Sequence, residues 1–326
     1  MSKITIGIPT FQREELLIQV LASAKSDGIL GAFPLIVLDD GPSPTLKHSI
    51  STQFPTVNFQ RHQKNMGMSR SILDLFQACS TEYCMMSADD DFLSMSGLEK
   101  ANAYVSESSP DFVSTQCLSG NQIMRGRVKE GPIRYSEIGP AAYHAPGLIY
   151  KVDTALRYAK LLEKLLEMEN YVAIMCPQVI LAYLILFHGG TLQWHPSAPV
   201  VEGFIAPSQL KDLEGDGYNE LGGRIREYEG WIQFFQACDE WLPSANGREL
   251  ASHVGKLKMQ ELYVQINTSL NTKSLAAGLS FRGAALFYNL RRPSRALAEL
   301  FEWTVDRKAA HKNAARLQSS LLHLTK

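Results

Sequence analysis

The sequence predicts an α/β protein: a mostly parallel sheet flanked by helices, followed by a C-terminal helical extension. Three observations carry that expectation. Short β-branched runs alternate with helical spacings through the first half, three of those runs end in polar or acidic turns, and after position 202 helical patterns take over. At 326 residues, with 45% hydrophobic and 20% charged side chains, the chain can bury one large core or two smaller ones.

Taken in order, Ile4-Thr5-Ile6-Gly7-Ile8 reads as a strand ended by Pro9, and 14–24 shows the helical spacing of Leu and Val. The run 34–38 is a buried-type strand stopped by Asp39-Asp40-Gly41-Pro42, a strong turn signal. Val57-Asn58-Phe59 reads as another strand. A helix over 69–79, a strand over 83–87, a helix over 96–105 and a strand over 111–117 continue the alternation. The Gly/Pro-rich stretch 120–147 breaks it and reads as irregular or hairpin structure. Helical pattern resumes over 153–167. The apolar run 171–187 carries Gln178 and Pro177 and is short for a membrane span, so a buried core helix is expected there. Residues 191–201 are expected to return to the sheet. Segments 219–242, 248–268, 274–290 and 294–323 read as helices, with Pro243, Asn271 and Pro293 near the breaks. The expected division is an α/β unit over 1–205 and a helical extension over 206–326.

Lys+Arg total 32 against 33 Asp+Glu, so the whole chain makes no electrostatic case for nucleic acid. Positions 282–326 hold nine Lys/Arg and three Asp/Glu, a basic tail that suits a negatively charged surface or a solvated helix face. Five cysteines with no CxxC pair read as reduced thiols of a cytosolic protein. Met1 to Phe11 enters a strand pattern at once, without signal-peptide character, and the expected location is the cytoplasm.

The chemistry is expected at the strand ends. Asp89-Asp90-Asp91 follows a strand through Ser87-Ala88, and like charges this close usually need a cation. Carboxylate oxygens suit hard ions such as Mg²⁺ or Mn²⁺, which in turn bridge to phosphate oxygens. A solvated acidic turn is the plain alternative for three Asp alone. Asp39-Asp40-Gly41 and Pro9-Thr10-Phe11 end two further strands, and open α/β sheets bind ligands beyond the carboxyl ends of their strands.

Together, residues 6–13, Val37-Leu38-Asp39-Asp40-Gly41, Asn65-Met66-Gly67 and 83–91 make the first hundred residues resemble the inverting, family-2 glycosyltransferases of the GT-A fold, whose sheet is Rossmann-like. The resemblance implies a nucleobase pocket lined by Pro9, Thr10 and Phe11, with Asp40 accepting from the imide of a uracil or thymine and Asp39 supporting the turn. It implies that Asn65 and Gly67 shape a loop beside the diphosphate, that Asp90 binds the ribose, and that Asp91, helped by Asp89, holds Mn²⁺ or Mg²⁺. Arg13 is placed to reach a phosphate or to lie solvated at a helix start. Where the family continues into Ala-Arg-Asn, this chain has Met68-Ser69-Arg70-Ser71-Ile72; Arg70 either substitutes for that arginine or faces water.

The implied partners are a nucleoside-diphosphate sugar and a glycan or lipid-linked glycan acceptor, as in enzymes that build bacterial surface polysaccharides. Such inverting enzymes draw a base from an acidic Glu-Asp pair ahead of a helix. The corresponding stretch here, Ile174-Met175-Cys176-Pro177-Gln178, has no acid. Glu169 and Glu167 are the nearest candidates, and both equally suit a solvated helix end; His144, His195 and Glu202 stand behind them. The missing pair keeps a non-catalytic nucleotide-sugar or glycan binder as an alternative. A sugar-nucleotide pyrophosphorylase is disfavoured, because Pro9-Thr10-Phe11-Gln12 is unlike its Gly-rich loop. In the tail, Leu297, Leu300, Phe301 and Val305, ringed by Arg and Lys, could lie on an anionic membrane or pack against protein, including a second copy.

Overall fold

The computed structural model describes residues 2–41, 44–120, 122–203 and 221–272. In chain order the elements begin β1 (Ile4–Thr10), α1 (Glu14–Ser26), α2 (Ile29–Ala32), β2 (Leu35–Asp39), α3 (Pro44–Gln53), β3 (Asn58–Arg61) and α4 (Met68–Ala78). Next come β4 (Tyr83–Met86), β5 (Phe92–Leu93), α5 (Met95–Ser108), β6 (Phe112–Ser114), β7 (Cys117–Ser119), β8 (Gln122–Arg125) and β9 (Gly131–Pro132). Then follow α6 (Ile138–Ala142), β10 (Leu148–Lys151), α7 (Val152–Glu167), α8 (Tyr171–Met175), α9 (Pro177–Phe187), β11 (Leu192–Trp194) and β12 (Val200–Val201). Two longer helices, α10 (Leu221–Trp241) and α11 (Ala245–Thr272), complete the described chain.

One compact unit comprises Met1–Glu169 and Ala173–Ala206; the second joins Asn170–Val172 to the chain from Pro207 onward. The first is built on an eight-stranded sheet in the order β3-β2-β1-β4-β10-β6-β11-β9. Its β3-β2-β1-β4 half is parallel throughout, so these strands deliver their carboxyl ends to one edge. Ile4, Ile6 and Ile8 of β1 are fully buried and pack in one cluster with Leu17 and Leu21 of α1 and Leu98 and Val105 of α5. Apolar residues on successive positions mark strands covered on both faces. The antiparallel β10, inserted between β4 and β6, follows directly on the irregular stretch 120–147 and is not among the strands expected from the sequence.

Two stretches expected as single strands are each divided between sheets. Residues 111–117 become β6 in the large sheet and β7 in a four-stranded sheet ordered β5-β12-β7-β8. Residues 191–201 likewise become β11 and β12. The chain crosses from one sheet to the other at both places in parallel, and the Gln116 N–H donates to the Ser197 carbonyl at 2.8 Å where they cross. The apolar run 171–187 forms two helices, of which α9 is buried almost throughout, whereas Ile174 of α8 is exposed. Cys176 leaves the helical region at φ −138° and ψ 53°, and Pro177 opens α9 where its missing N–H would have had no helical partner.

In the second unit, Asn170 Nδ2 donates to the Gly230 carbonyl at 2.8 Å and to Gln233 Oε1 at 3.1 Å. Trp231, Phe234 and Phe235 are buried together on α10, with Trp231 and Phe235 stacked at 5.7 Å. All five cysteines are free. No helix among the described residues is long and apolar enough to cross a membrane. The helices expected over 274–290 and 294–323, with the basic tail, lie outside the described residues.

Candidate functional site

Thr10 ends β1 opposite Asp39, the last residue of β2, and the Asp40 N–H donates to the Thr10 carbonyl at 2.9 Å. Three residues beyond β4 the chain turns through Asp89, Asp90 and Asp91, all buried. Three sequence-predicted groups therefore meet at one edge. The Thr10 hydroxyl donates to Asp89 Oδ2 at 2.7 Å. Arg13 Nη1 reaches Asp89 Oδ1 at 3.1 Å and Asp90 Oδ2 at 3.0 Å. The left-handed backbone at Gln12, φ 55°, turns the chain between β1 and α1 just ahead of that guanidinium.

Asp91 sits differently. It has no bond to Arg13; its Oδ1 accepts the Gly203 N–H at 3.1 Å. Burial pushes its carboxyl up to about 6, with the charges of Asp90, Glu202 and Asp89 adding to that push and the Gly203 N–H opposing it. Burial raises Asp89 as well, against the Thr10 hydroxyl and the Arg13 guanidinium. Gly203 presses its backbone on this turn: a Cβ there would stand 1.7 Å from the Asp90 carbonyl oxygen.

A divalent cation suits this arrangement in one respect and is limited in another. Asp91 is a buried carboxylate in a field of like charge, which a cation would relieve. Among the described residues, no three His, Cys, Asp or Glu side chains are grouped to hold a metal by themselves. One or two carboxylates completed by substrate phosphates is the usual site for Mg²⁺. The residues present fit an ion that arrives with a phosphorylated ligand.

At the end of β2 the two aspartates are already engaged. Asp39 Oδ1 accepts the Gly41 N–H at 2.8 Å and Oδ2 accepts Arg61 Nε at 2.8 Å, so Asp39 fastens its turn. Asp40 accepts the Met66 N–H on Oδ1 and the Gly67 N–H on Oδ2, both at 2.7 Å. His62 Nδ1 lies 2.7 Å from Asp40 Oδ1 as well. Asn65 Oδ1 accepts the Gly67 N–H at 2.9 Å, and Gly67 takes φ 84°, a left-handed backbone that glycine adopts readily. Arg70 neither reaches the acidic turn nor lies free in water. Its guanidinium pairs with Asp74 at 3.0 Å and Glu163 at 2.7 Å. An open depression of about 510 Å³ is lined by His62, Gln63, Lys64, Met66, Arg70 and Asp74. Pro9, within β1, and Phe11, just after it, are half-buried and are not part of its wall.

The candidate bases are dispersed. Glu167 ends α7 and Glu169 follows it at φ 54°; both are exposed, and neither bonds to the acidic turn. His195 is stacked on Tyr104 at 4.2 Å and bonded to Ser197 Oγ at 2.8 Å. His144 lies in a segment fastened by the buried Arg125, which donates to the carbonyls of Thr115, His144 and Pro146. The neighbouring Gly147 N–H donates to the carbonyl of Met86 at the end of β4, at 2.7 Å. Nδ1 of His144 is buried and without a hydrogen-bond partner among the described residues. Burial, then Arg125, holds the imidazole below its ordinary pKa, with Glu202 and Asp90 acting the other way.

His62, Asp74, Arg61 and Arg125 were not legible as site residues. The strand reading stopped at Phe59, two residues short of the observed end of β3. A strand carried through Arg61 would have set His62 at the same edge as Asp40.

A family profile described as "Glycosyl transferase family 2" matches residues 5–166. Among solved structures, S. aureus TarS 1-349 in complex with UDP-GlcNAc is 15% identical, covers 99% of this chain and 90% of its own, and superposes with a TM-score of 0.63. The same protein in complex with UDP gives 14% identity, the same coverage of 99% and 90%, and a TM-score of 0.62. The longer S. aureus TarS is 13% identical with a TM-score of 0.62, and 54% of it is covered by 99% of this chain. At these identities the likeness is one of fold. No curated protein matches the chain.

Proposed function

The chain belongs to glycosyl transferase family 2, and from that premise we propose that it moves a sugar, with inversion, from a uridine- or thymidine-diphosphate sugar to a hydroxyl of a glycan or lipid-linked glycan. The observation that carries the reading is the meeting of Thr10, Arg13 and Asp89-Asp90-Asp91 at one sheet edge, with Asp40 beside Thr10. S. aureus TarS is described in complex with UDP-GlcNAc and with UDP, which supports a uridine-linked donor.

In this reading Asp40 accepts from the base, Asn65 and Gly67 flank the diphosphate, Asp90 takes the ribose, and Pro9, Thr10 and Phe11 enclose the base. Arg13 is the cation next to the anionic ligand, and it shifts from Asp89 and Asp90 as the donor enters. Asp91, assisted by Asp89, holds Mn²⁺ or Mg²⁺, which when bound neutralises charge on the departing diphosphate. The acceptor oxygen attacks the anomeric carbon from the face opposite the diphosphate. That carbon's bond to the phosphate oxygen breaks, and the hydroxyl proton passes to a base. Glu169 is proposed for that base, with Glu167, His144 and Glu202 next in order. The site works at a membrane face if the basic tail seats there, and α/β unit and helical extension divide near residue 205.

One set of measurements tests this. Calorimetry with Mn²⁺ should show UDP binding at least tenfold tighter than ADP, and Asp91→Ala should lose the metal-dependent part while keeping its circular dichroism. Glu169→Gln should slow transfer about a hundredfold, the scale of a lost general base, at unchanged UDP affinity. Equal affinity for UDP and ADP would sink the base-recognition scheme. A protein that binds donor but never hydrolyses or transfers it would be a binder only.

A further inference from the structure

Starting from the ends of β2 and β3 runs a chain of polar and charged groups of which the proposed donor scheme uses only Asp40. His62, one residue past β3, has a carboxylate on each ring nitrogen: Asp40 Oδ1 lies 2.7 Å from Nδ1 and Asp74 Oδ2 lies 2.8 Å from Nε2. Each ring nitrogen thus has a carboxylate oxygen at hydrogen-bond distance, and the two contacts hold His62 between the strand end and α4. Its side chain is 13% exposed and those of Asp40 and Asp74 are 6% and 20% exposed, so solvent offers little alternative pairing. Asp74 is held in turn by Arg70, one turn earlier on α4, and Arg70 is tied to Glu163 of α7. Asp40, His62, Asp74, Arg70 and Glu163 are thereby linked contact by contact from strand end to helix.

The far end of this chain is fixed on two helices. Its near end, Asp40, is what the Met66 and Gly67 N–H groups grip, and these open the turn into α4. A carboxylate accepts about four hydrogen bonds. Among the described residues three are used on Asp40, two at Oδ1 and one at Oδ2, which leaves Oδ2 one acceptor position toward a ligand. His62 and Asp74 also line the depression beside the turn.

We infer that His62 is a positioning residue for the donor nucleotide: it clamps Asp40 against the 65–67 turn and thereby aims the free Oδ2 position and the loop at the ligand. The inference rests on the donor reading of that edge. His62 touches no reacting atom, so its loss should act on donor affinity and leave chemistry alone.

The test uses the full chain. His62→Ala should raise the donor KM and the UDP dissociation constant roughly tenfold or more, the scale of a lost hydrogen bond to a charged group, with kcat within about twofold. Hydrogen exchange at the Met66 and Gly67 amides should quicken by a similar factor. Asp74→Asn, which weakens the outer partner only, should give a smaller shift of the same kind. His62→Gln, with one N–H to offer Asp40, should recover part of both effects. Unchanged amide exchange and unchanged UDP affinity in folded His62→Ala would overturn the inference, as would a fall in kcat at constant KM. If wild-type protein binds no nucleoside diphosphate, the donor reading fails by itself. The exchange measurement then still decides the clamp: quickened amides support it, and protected amides refute it.

Discussion

Arg13 and Asp91 divide the electrostatics of the acidic turn between them. Arg13 bonds to Asp89 and Asp90, whereas among the described residues Asp91 has only the Gly203 N–H, and it is pushed up to about 6 by burial first. His144 responds to acid in the opposite sense from these carboxyls. Its folded pKa lies below the unfolded value, because burial favours the neutral ring. The stability it contributes is therefore full above the unfolded pKa, near 6.5, and is lost as pH falls through the folded value. Asp89 and Asp91, raised by burial, gain relative stability on protonation and partly mask that loss. The measurement is thus a difference. Between pH 7.5 and 5.5, His144→Gln should lose less melting temperature than wild type; parallel pH curves would show that His144 is not buried as a neutral ring.

At the scale of elements, α5 begins where the site ends. Ser94 caps it by accepting the Gly97 N–H at 3.3 Å, and the Ser94 N–H donates to the Pro199 carbonyl at 2.9 Å. Gly97 packs so closely that a Cβ would meet the Ala198 carbonyl oxygen at 2.1 Å. Backbone cannot yield as a side-chain tip can, so Gly97→Ala should cost about 3 kcal/mol and lower the melting temperature by roughly 5–10 °C. A differential-scanning shift under 2 °C would show that β5 and β12 part easily. Elements also explain what could be foreseen. The ends of β1, β2 and β4 were legible to within two residues, because apolar character gives way at Pro9-Thr10, at Asp39 and at Ser87. The division of 111–117 and 191–201 between two sheets was not, since a crossing leaves no periodicity of its own. His62 was hidden for a further reason: its two partners lie 22 and 12 residues away, joined only by strand pairing and one helix turn.

On the scale of the whole molecule, the α/β unit carries every group argued to act on donor, and the described part of the second unit is a pair of helices packed on aromatic residues. The sequence of the tail suits either an anionic membrane surface or packing against protein. Arg292, Arg295, Arg307, Lys308, Lys312 and Arg316 accompany Leu297, Leu300, Phe301 and Val305 at helical spacing. A surface built this way gains roughly 1 kcal/mol per basic residue near an anionic bilayer. Full-length protein should co-sediment with anionic vesicles at low salt and leave neutral ones alone, with binding lost on truncation after Pro293. Recovery in the supernatant with anionic vesicles would reassign the tail to packing.

Gly203 gives the site a consequence in heredity. Its backbone lies on the Asp90 carbonyl while its N–H holds Asp91, so one position both spaces and secures the acidic turn. Every single-base missense change in a glycine codon introduces a Cβ, and each would push the turn open whatever the new side chain's chemistry. A lineage that loses that glycine loses the geometry of its neighbours even while their codons remain intact.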